Sequence, residues 1–450
     1  LYNSKDIQAN FSRISLSGGA VFDQLYARLK GNTLSGKTAV NVGMNFTLRD
    51  SVFTFNIASD SLIFGYLPWQ VNQDNYLRLS PEKRLSADLQ LTSGQKRFKL
   101  LSFQEPERSG ETLSVDIQGI EVGLISEMLP FIPNMAGIFS AGLELKNQGR
   151  VLDVTGNIRL DQFFYEHRRV GNLELDAGYR LTREQLHEMD FALHLDGEKT
   201  VLAKGKVLTG NQDKNMSIDI DIPKFPLRVV NAFIPSGLVD LQGDLRGTIA
   251  FRGDPEHPLI NGGILFQQGR VTVLPVGTLF QIDSNRISIA DNRLSFNGFG
   301  LIAPNRQRME LQGDVNFASF SDIRMNTTVN AKNFQVIEVN PNDTTMVYGK
   351  AFIDLDVQVK GALNALFIRG NVGLLDNSVI NYVLKSSPLE VNDKSSNIVR
   401  FVSFRDTTLA ELDDRIGTIQ NSSLDILLLL NISPLVNLNV LLSDNGQNRV

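Results

Sequence analysis

One short segment of the sequence has the residue types and spacing of a phosphate-binding loop. Residues 31–38 read GNTLSGKT, which fits the pattern G-x-x-x-x-G-K-[ST] letter for letter. In such a loop, backbone N–H groups, a lysine and the N-terminus of the next helix converge on the phosphates of a nucleotide. This chemistry requires a buried strand before the loop and a helix after it, so the flanking segments decide.

The flanking segments do not have that form. After the loop, apolar residues fall on every second position of AVNVGMNFTLRD, which is typical of a half-buried strand and not of a helix. Before it, VFDQLYARLK lacks the continuous apolar run of a buried parallel strand. We therefore predict that Gly31–Thr38 is a turn, that Lys37 is solvated, and that the segment binds no nucleotide.

Two pairs of carboxylates also have a spacing that chemistry could use. Asp219 and Asp221, like Asp354 and Asp356, lie two residues apart in alternating segments. On a strand, this puts both side chains on one face, roughly 7 Å apart, which could suit a glycosidase. Both pairs are on the polar side of their segments, where solvated carboxylates are the rule, so we expect surface residues.

Other reactive groups form no pattern typical of an active site. The four histidines, at positions 167, 187, 194 and 257, have no metal-binding spacing. The absence of cysteine excludes disulfides, thiolate zinc sites and cysteine catalysis. We predict that the protein is not an enzyme and uses no cofactor or metal.

Composition indicates a folded protein with more than one core. The 450 residues exceed the size of a single hydrophobic core, and 42% of them are hydrophobic against 21% charged. The net charge of −5, without a basic run, argues against nucleic acid as a partner. No apolar run approaches the roughly 18 residues of a membrane-spanning helix.

The pattern that must position all these residues is strict alternation. In FIDLDVQVKG, residues 353, 355, 357 and 359 are apolar and the residues between them are polar, and MELQGDVNF repeats the pattern. Such segments recur with Gly, Asn or Asp between them, which is typical of an all-β protein whose sheet has one apolar and one polar face. Asp291-Asn292 predicts a two-residue hairpin turn. Only residues 120–133 and 225–235 favour short helices.

An internal repeat divides the chain. Gly156, Gly262 and Gly370 recur at a period of about 105 residues, each followed by apolar residues at the same offsets. We predict an N-terminal β region over 1–118 and repeats over 119–224, 225–332 and 333–450, the last leading into a C-terminal module. The apolar faces would either close into a chain of β-sandwiches or line one elongated, curved sheet with an open groove. The absence of clear linkers favours the groove.

The glycine and apolar spacings of these repeats resemble the AsmA-like superfamily, most closely the TamB family in the form found in Bacteroidota. The segments that carry the resemblance are GTIAFRGDPEHPLINGGILFQQGRVTVLPVGTLFQI, ISIADNRLSFNGFGLIAP, LQGDVNFASFSDIRMNTTVNAKNFQVI and YVLKSSPLEVND. The resemblance implies a taco-like β-sheet with a hydrophobic inner surface. It also implies a periplasmic protein that bridges the inner and outer membranes and is implicated in phospholipid movement and outer-membrane protein assembly.

The family also implies partners. We expect phospholipid acyl chains in the groove and a TamA-type outer-membrane barrel protein as partner of the C-terminal region. The chain reads as a piece of a longer protein. We expect the family's N-terminal inner-membrane helix to be missing from it, and most of the barrel-facing module to lie beyond Val450.

The predicted function is therefore a periplasmic bridge that carries phospholipid along a hydrophobic β-groove and supports outer-membrane biogenesis. The residues predicted to face the groove are Ile249, Phe251, Ile264, Phe266, Ile353, Leu355, Val357, Val359, Val372 and Leu374. Two alternatives stay open. One is a scaffold for outer-membrane β-barrel assembly or secretion with a TamA-type partner, acting through exposed sheet edges. The other is a secreted multi-domain β-sandwich adhesin.

Overall fold

Strands dominate the computed structural model of the chain. It describes residues 11–81, 85–104, 111–129, 132–148, 151–210, 214–341, 347–383 and 424–441, so parts of the predicted third repeat lie outside the described residues. The strands belong to a mixed sheet in which most pairs are antiparallel, while β26–β28 and β27–β29 are parallel. The predicted all-β class is confirmed.

The strand bounds are as follows: β1 Phe11–Val21, β2 Gln24–Thr33, β3 Thr38–Arg49, β4 Val52–Ile57, β5 Ile63–Phe64, β6 Leu67–Pro68, β7 Gln70–Val71, β8 Tyr76–Leu79, β9 Leu85–Ser93, β10 Lys96–Gln104, β11 Glu111–Glu121, β12 Met135–Gln148, β13 Val151–Tyr165, β14 Arg168–Leu181, β15 Leu186–Leu195, β16 Glu198–Leu208, β17 Asn215–Pro226, β18 Val239–Gly253, β19 Leu259–Val273, β20 Thr278–Ile282, β21 Ile287–Ala290, β22 Arg293–Ile302, β23 Arg308–Asn316, β24 Arg324–Val339, β25 Val347–Ala362, β26 Ala365–Leu374, β27 Val379–Val383, β28 Asp425–Ile432 and β29 Asn437–Leu441.

The chain forms two compact units. Unit 1 contains the described residues within Leu1–Arg270 and Ser284–Arg293, and unit 2 those within Val271–Asp283 and Leu294–Val450. Unit 1 has two small buried clusters, each beside a helical segment. Unit 2 has one, around Phe280 and Phe334, whose rings stack with centroids 5.4 Å apart.

Both segments predicted as helical contain a helix, shorter than the pattern suggested. Residues 120–133 contain α1 (Val122–Met128), and residues 225–235 contain a 3-10 helix, Leu227–Phe233. A second 3-10 helix covers Leu274–Val276. Each of the two predicted helices buries one side against strands of unit 1.

Two predicted turns have the expected form. The phosphate-loop pattern at Gly31–Thr38 joins β2 directly to β3, with Gly36 at φ +80° and the Thr33 N–H donating to the Lys37 carbonyl. No helix follows, so the setting that phosphate binding requires is missing. Lys37 is exposed, as predicted, and its Nζ lies 4.9 Å from the centroid of the Tyr66 ring. Asp291 and Asn292 both have positive φ, as a two-residue hairpin turn requires.

The three repeated glycines occupy equivalent places. Each lies close to the carbonyl oxygen of the residue fourteen positions earlier on a paired strand. A Cβ atom would lie 3.0 Å from the oxygen at Gly156 and 2.1 Å from it at both Gly262 and Gly370. These close approaches explain why the sequence repeats glycine there. The predicted boundaries of the repeats stay a prediction.

Candidate functional site

The register of ten consecutive strands, β9–β18, gives unit 1 one apolar and one charged face. Directly opposed residues of neighbouring strands point to the same side of a sheet, so the register traces rows of side chains across it. Three adjacent rows are mostly apolar and together form what we call the apolar face of unit 1. Row A is Leu91, Phe98, Ile117, Ala141, Ile158, Leu175, Leu193 and Val201; row B is Leu89, Leu100, Val115, Leu143, Gly156, Ala177, Phe191, Ala203, Ile220 and Ile249; row C is Leu113, Leu145, Val154, Tyr179, Met189, Gly205, Ile218 and Phe251.

The apolar face of unit 1 is not sealed as a core would be. Leu89 and Ala141 are buried, and every other member of rows A, B and C is half-buried. Side chains inside a closed sandwich would be largely inaccessible to solvent, because the two sheets pack face to face. The face therefore stays open to a ligand over much of its extent.

The opposite face of the same strands is charged. Arg159 Nη2 lies 2.9 Å from Glu174 Oε1 across β13–β14, and Lys206 Nζ lies 2.7 Å from Glu188 Oε1 across β15–β16. Hydrogen bonds from the Asn157 amide, and then from Arg159, lower the pKa of Glu174, while Lys206 lowers the pKa of Glu188. These carboxylates are therefore ionised at neutral pH, and this face is well solvated.

Unit 2 has an apolar face of its own. The register joins Met309, Ala331, Leu355, Val372 and Leu430 into one row across β23, β24, β25, β26 and β28. A second row contains Leu311, Val329, Val357, Gly370 and Leu428. We call these residues, with their neighbours on the same side, the apolar face of unit 2.

The structure brings the six predicted groove residues of unit 2 onto this one face. In β25–β26, Ile353 opposes Leu374, Leu355 opposes Val372, and Val357 and Val359 continue the same side. Val357 is buried, and Val359, Val372 and Leu374 are half-buried. Ile353 and Leu355 pack against the cluster of Phe280, Ala303, Ala331 and Phe334. That part of the predicted groove is therefore covered by a local core.

The four predicted groove residues of unit 1 are all half-buried. Ile249 ends row B and Phe251 ends row C. Ile264 lies beside β18. A Cβ atom added to Gly247 of β18 would be 2.9 Å from the Cα of Ile264. Phe266 lies two residues further along β19. Their role as groove residues stays a prediction.

One margin of the apolar face in unit 1 is covered by the 3-10 helix Leu227–Phe233. Val229 and Ala232 of this helix pack into a buried cluster with three residues of the sheet. These are Phe163 near the end of β13, Val170 near the start of β14 and Leu195 at the end of β15. The Arg168 guanidinium donates hydrogen bonds to the backbone carbonyls of Asn231 and Ile234 and fixes the helix to the sheet. The face is thus closed at this margin.

A wholly apolar cavity of about 380 Å³ lies at the edge of the same face that row A forms. No local pattern in the sequence predicts this cavity. Its lining comes from β3, β4, β5, β9–β12, α1 and the segment around Trp69: Val42, Ile57, Leu62, Phe64, Trp69, Leu91, Phe98, Ile117, Ile120, Ile125 and Phe139. The signals that could have suggested it are an amphipathic helix that needs an apolar partner and the single tryptophan of the chain.

Asp354 differs from the free surface carboxylate that alternation predicted. Its Oδ1 accepts a hydrogen bond from the backbone N–H of Asn333 at 2.8 Å, and its Oδ2 lies 3.2 Å from Lys332 Nζ. These residues form a bulge in β24, where the register shifts between Ala331 and Phe334. Mainly because of the backbone hydrogen bond, the pKa of Asp354 is lowered. Asp356, by contrast, is exposed, as predicted.

Strand β28 exposes apolar side chains on both of its faces. Leu427 and Leu429 point to one side, Leu428 and Leu430 to the other, and all four are at least 41% exposed. An exposed apolar strand is a typical site of protein association. It lies in unit 2, in parallel register with β26.

The described residues contain no cluster of three or more His, Cys, Asp or Glu side chains that could hold a metal ion. In the same part of the chain, no helix has both the length and the apolar character needed to cross a membrane. The arrangement is suited to contacts with apolar surface.

Comparison with known proteins gives one match. Residues 297–447 match the family model described as the TamB C-terminal domain, and they lie within unit 2. No curated protein and no solved structure matches the chain. The expectation that most of the barrel-facing module lies beyond Val450 stays a prediction. Proteins of this family belong to the translocation and assembly module, with a role in lipid or protein assembly at the cell envelope. Residues 297–447 are thus similar to the TamB C-terminal domain.

Proposed function

We propose that the apolar faces of the sheet carry phospholipid acyl chains through the periplasm, between the inner and outer membranes. The observation that supports this most directly is the set of rows A, B and C, which continue across ten strands while staying half-buried. The polar head groups remain in water. No catalytic step is needed, because the lipid changes place and not structure.

The energetics suit transport more than storage. Each methylene removed from water contributes about 0.8 kcal/mol, so an acyl chain free in the periplasm carries a cost of about 10 kcal/mol. Nine interstrand steps of about 4.8 Å give the apolar face of unit 1 an extent of roughly 43 Å. Because its composition changes little from strand to strand, an acyl chain gains similar free energy at each position and can move without leaving a deep minimum.

A matched pair of charges tests the proposal. Val372 and Asn371 are neighbours in β26. Val372 is half-buried on the apolar face, whereas Asn371 is exposed on the opposite face. A photo-crosslinking residue at Ile368, on the apolar side of the same strand, should form adducts with phospholipid in cells. Val372→Asp should lower the yield of these adducts several-fold, because a carboxylate on the face must be desolvated by a passing acyl chain. Asn371→Asp should leave the yield unchanged.

Thermal unfolding of both variants separates a blocked face from a misfolded protein. We expect Val372→Asp to cost about 1–3 kcal/mol, the usual range for a polar substitution at a partly buried site. Equal lipid adducts in the two variants, or none in the wild type, would refute lipid carriage. Val372 suits this test better than Leu355, because Leu355 packs against the Phe280 cluster, where a charge would disturb folding directly.

A second candidate function is supported by β28. Its exposed leucines on both faces suit contact with another polypeptide, as in a scaffold for outer-membrane barrel assembly with a TamA-type partner. The crosslinking experiment at Ile368 also decides this point. Adducts that contain polypeptide and no phospholipid would favour the scaffold, because the apolar face of unit 2 includes Leu428 and Leu430 of β28.

A further inference from the structure

The apolar cavity of unit 1 differs from the open face because it is covered. The short hairpin β5–β6, whose first strand pairs with β3, and helix α1 supply Phe64 and Ile125 to the cavity wall. The hairpin is fixed at its turn: the Tyr66 N–H donates to the Ala39 carbonyl, 3.2 Å away, and a Cβ atom on Gly65 would lie 3.6 Å from Leu124 of α1. The cavity therefore has walls on more than the sheet side.

We propose that this cavity is a discrete binding site for one acyl chain of a phospholipid. The inference rests on the proposed function for the nature of the ligand, and adds a defined site to an otherwise uniform face. The volume of about 380 Å³ is in the range of ligand pockets.

The cavity has the chemistry of a site that excludes water. Its eleven lining residues are all apolar or aromatic, and the one polar hydrogen among their side chains, the Trp69 indole N–H, donates to the Phe64 carbonyl at 3.0 Å. A cavity in which water finds no hydrogen-bonding partners stays dry and takes up apolar ligands. An acyl chain supplies the missing contacts.

The cavity is continuous with the apolar face. Leu91, Phe98 and Ile117 line the cavity and are also the first three members of row A. An acyl chain can therefore pass from the covered site onto the face without crossing a polar row. Because a covered chain contacts protein on more sides than a chain on the open sheet, it should be held more tightly in the cavity.

The only tryptophan of the chain makes the proposal directly testable. Trp69 lines the cavity and is 9% exposed, so its emission reports on that site alone. Bromine quenches indole fluorescence only at near contact. We would add the whole protein to vesicles of dioleoylphosphatidylcholine whose double bonds have been brominated, and to the same vesicles without bromine. Trp69 should lose most of its emission with the brominated lipid and almost none with the other.

Two phenylalanine variants provide the matched control. Val42→Phe fills the cavity, whereas Val201→Phe adds the same bulk at the far end of row A. Val42→Phe should weaken the apparent lipid affinity measured by quenching at least about tenfold, equal to about 1.4 kcal/mol, and Val201→Phe should leave it unchanged. Equal weakening by both variants would overturn the discrete site.

The wild-type measurement stands even where Val42→Phe does not fold. If phospholipid adducts form at Ile368 while Trp69 stays bright in brominated vesicles, the cavity proposal is wrong and lipid carriage stands. If neither adducts nor quenching are found, both proposals are wrong.

Discussion

At the scale of single residues, two carboxylates stabilise irregular backbone. Asp354 accepts a hydrogen bond from the N–H of Asn333, which has φ +47° in a bulge, and Asp196 accepts one from the N–H of Asn172 at 2.9 Å. In both cases this backbone hydrogen bond is the main reason that the pKa of the carboxyl is lowered. The alternation of apolar and polar residues predicts that such carboxylates lie on the surface. It does not predict the bulge or turn whose backbone they bind.

Asp196→Asn should make the stability of unit 1 less dependent on pH. Asp196 also lies 2.7 Å from Arg228 Nη2. Because its pKa is lower in the folded state, it contributes stability above the unfolded pKa of about 3.9, and this contribution is lost as pH falls through the folded pKa. We expect Asp196→Asn to cost about 1 kcal/mol at pH 7, and the difference from the wild type to shrink as pH falls below about 4 and to vanish below the folded pKa. Urea unfolding at several pH values measures it.

Asp190→Asn is the control for this effect. Asp190 pairs with Lys204 at 3.1 Å, and both side chains are largely exposed. Exposed ion pairs contribute little, so this variant should stay within about 0.5 kcal/mol of the wild type at every pH. If Asp190→Asn lost as much stability as Asp196→Asn, net charge and not the backbone hydrogen bond would determine the effect.

At the scale of elements, Gly370 should tolerate no side chain. A Cβ atom there would lie 2.1 Å from the Asp356 carbonyl oxygen and 2.6 Å from the Val357 Cα, both backbone atoms that cannot move without disturbing the β25–β26 pair. We expect Gly370→Ala to destabilise unit 2 by about 2–4 kcal/mol. The midpoint of urea unfolding, followed by circular dichroism, measures this loss.

Gly373, in the same strand, provides the comparison. A Cβ atom there would lie 3.7 Å from the Asp354 Cβ, which is an ordinary contact. Gly373→Ala should be neutral or slightly stabilising, since alanine lowers the entropy of the unfolded chain. Similar losses of stability in both variants would show that the close backbone approach is not the reason for glycine at position 370.

The sequence predicted elements well where a local pattern determines them. Alternation gave β25 its two faces, Asp291-Asn292 gave a turn, and two amphipathic segments gave helices. The cavity could not be predicted in this way, because its walls join Val42 to Phe139 through contacts that no local pattern encodes. The same holds for the covering of Leu355 by the Phe280 cluster, which depends on distant strands.

At the scale of the molecule, the boundaries that the sequence repeats suggested fall inside strands, at shifts of register. The boundary at 118/119 lies inside β11, that at 224/225 inside β17, and that at 332/333 inside β24. Pairing resumes beyond each shift within the same strand, at Ile120, Phe225 and Phe334, so each of these strands continues across the predicted boundary. This arrangement disfavours the adhesin of separate sandwiches.

A single cut in unit 1 should therefore leave the molecule in one piece. Gly237 has φ +83° and nothing within 4 Å of its Cβ position, so a protease site at Ser236–Gly237 should be accessible. The cut lies between β17 and β18, which pair with each other. Their pairing extends from Met216 opposite Gly253 to Pro226 opposite Asp244. The fragments should co-elute in size-exclusion chromatography and separate only in denaturant, because that ladder and the adjoining apolar rows hold them together. Fragments that separate in native buffer and stay folded would instead support independent sandwich modules, and would remove the continuous apolar face on which lipid carriage depends.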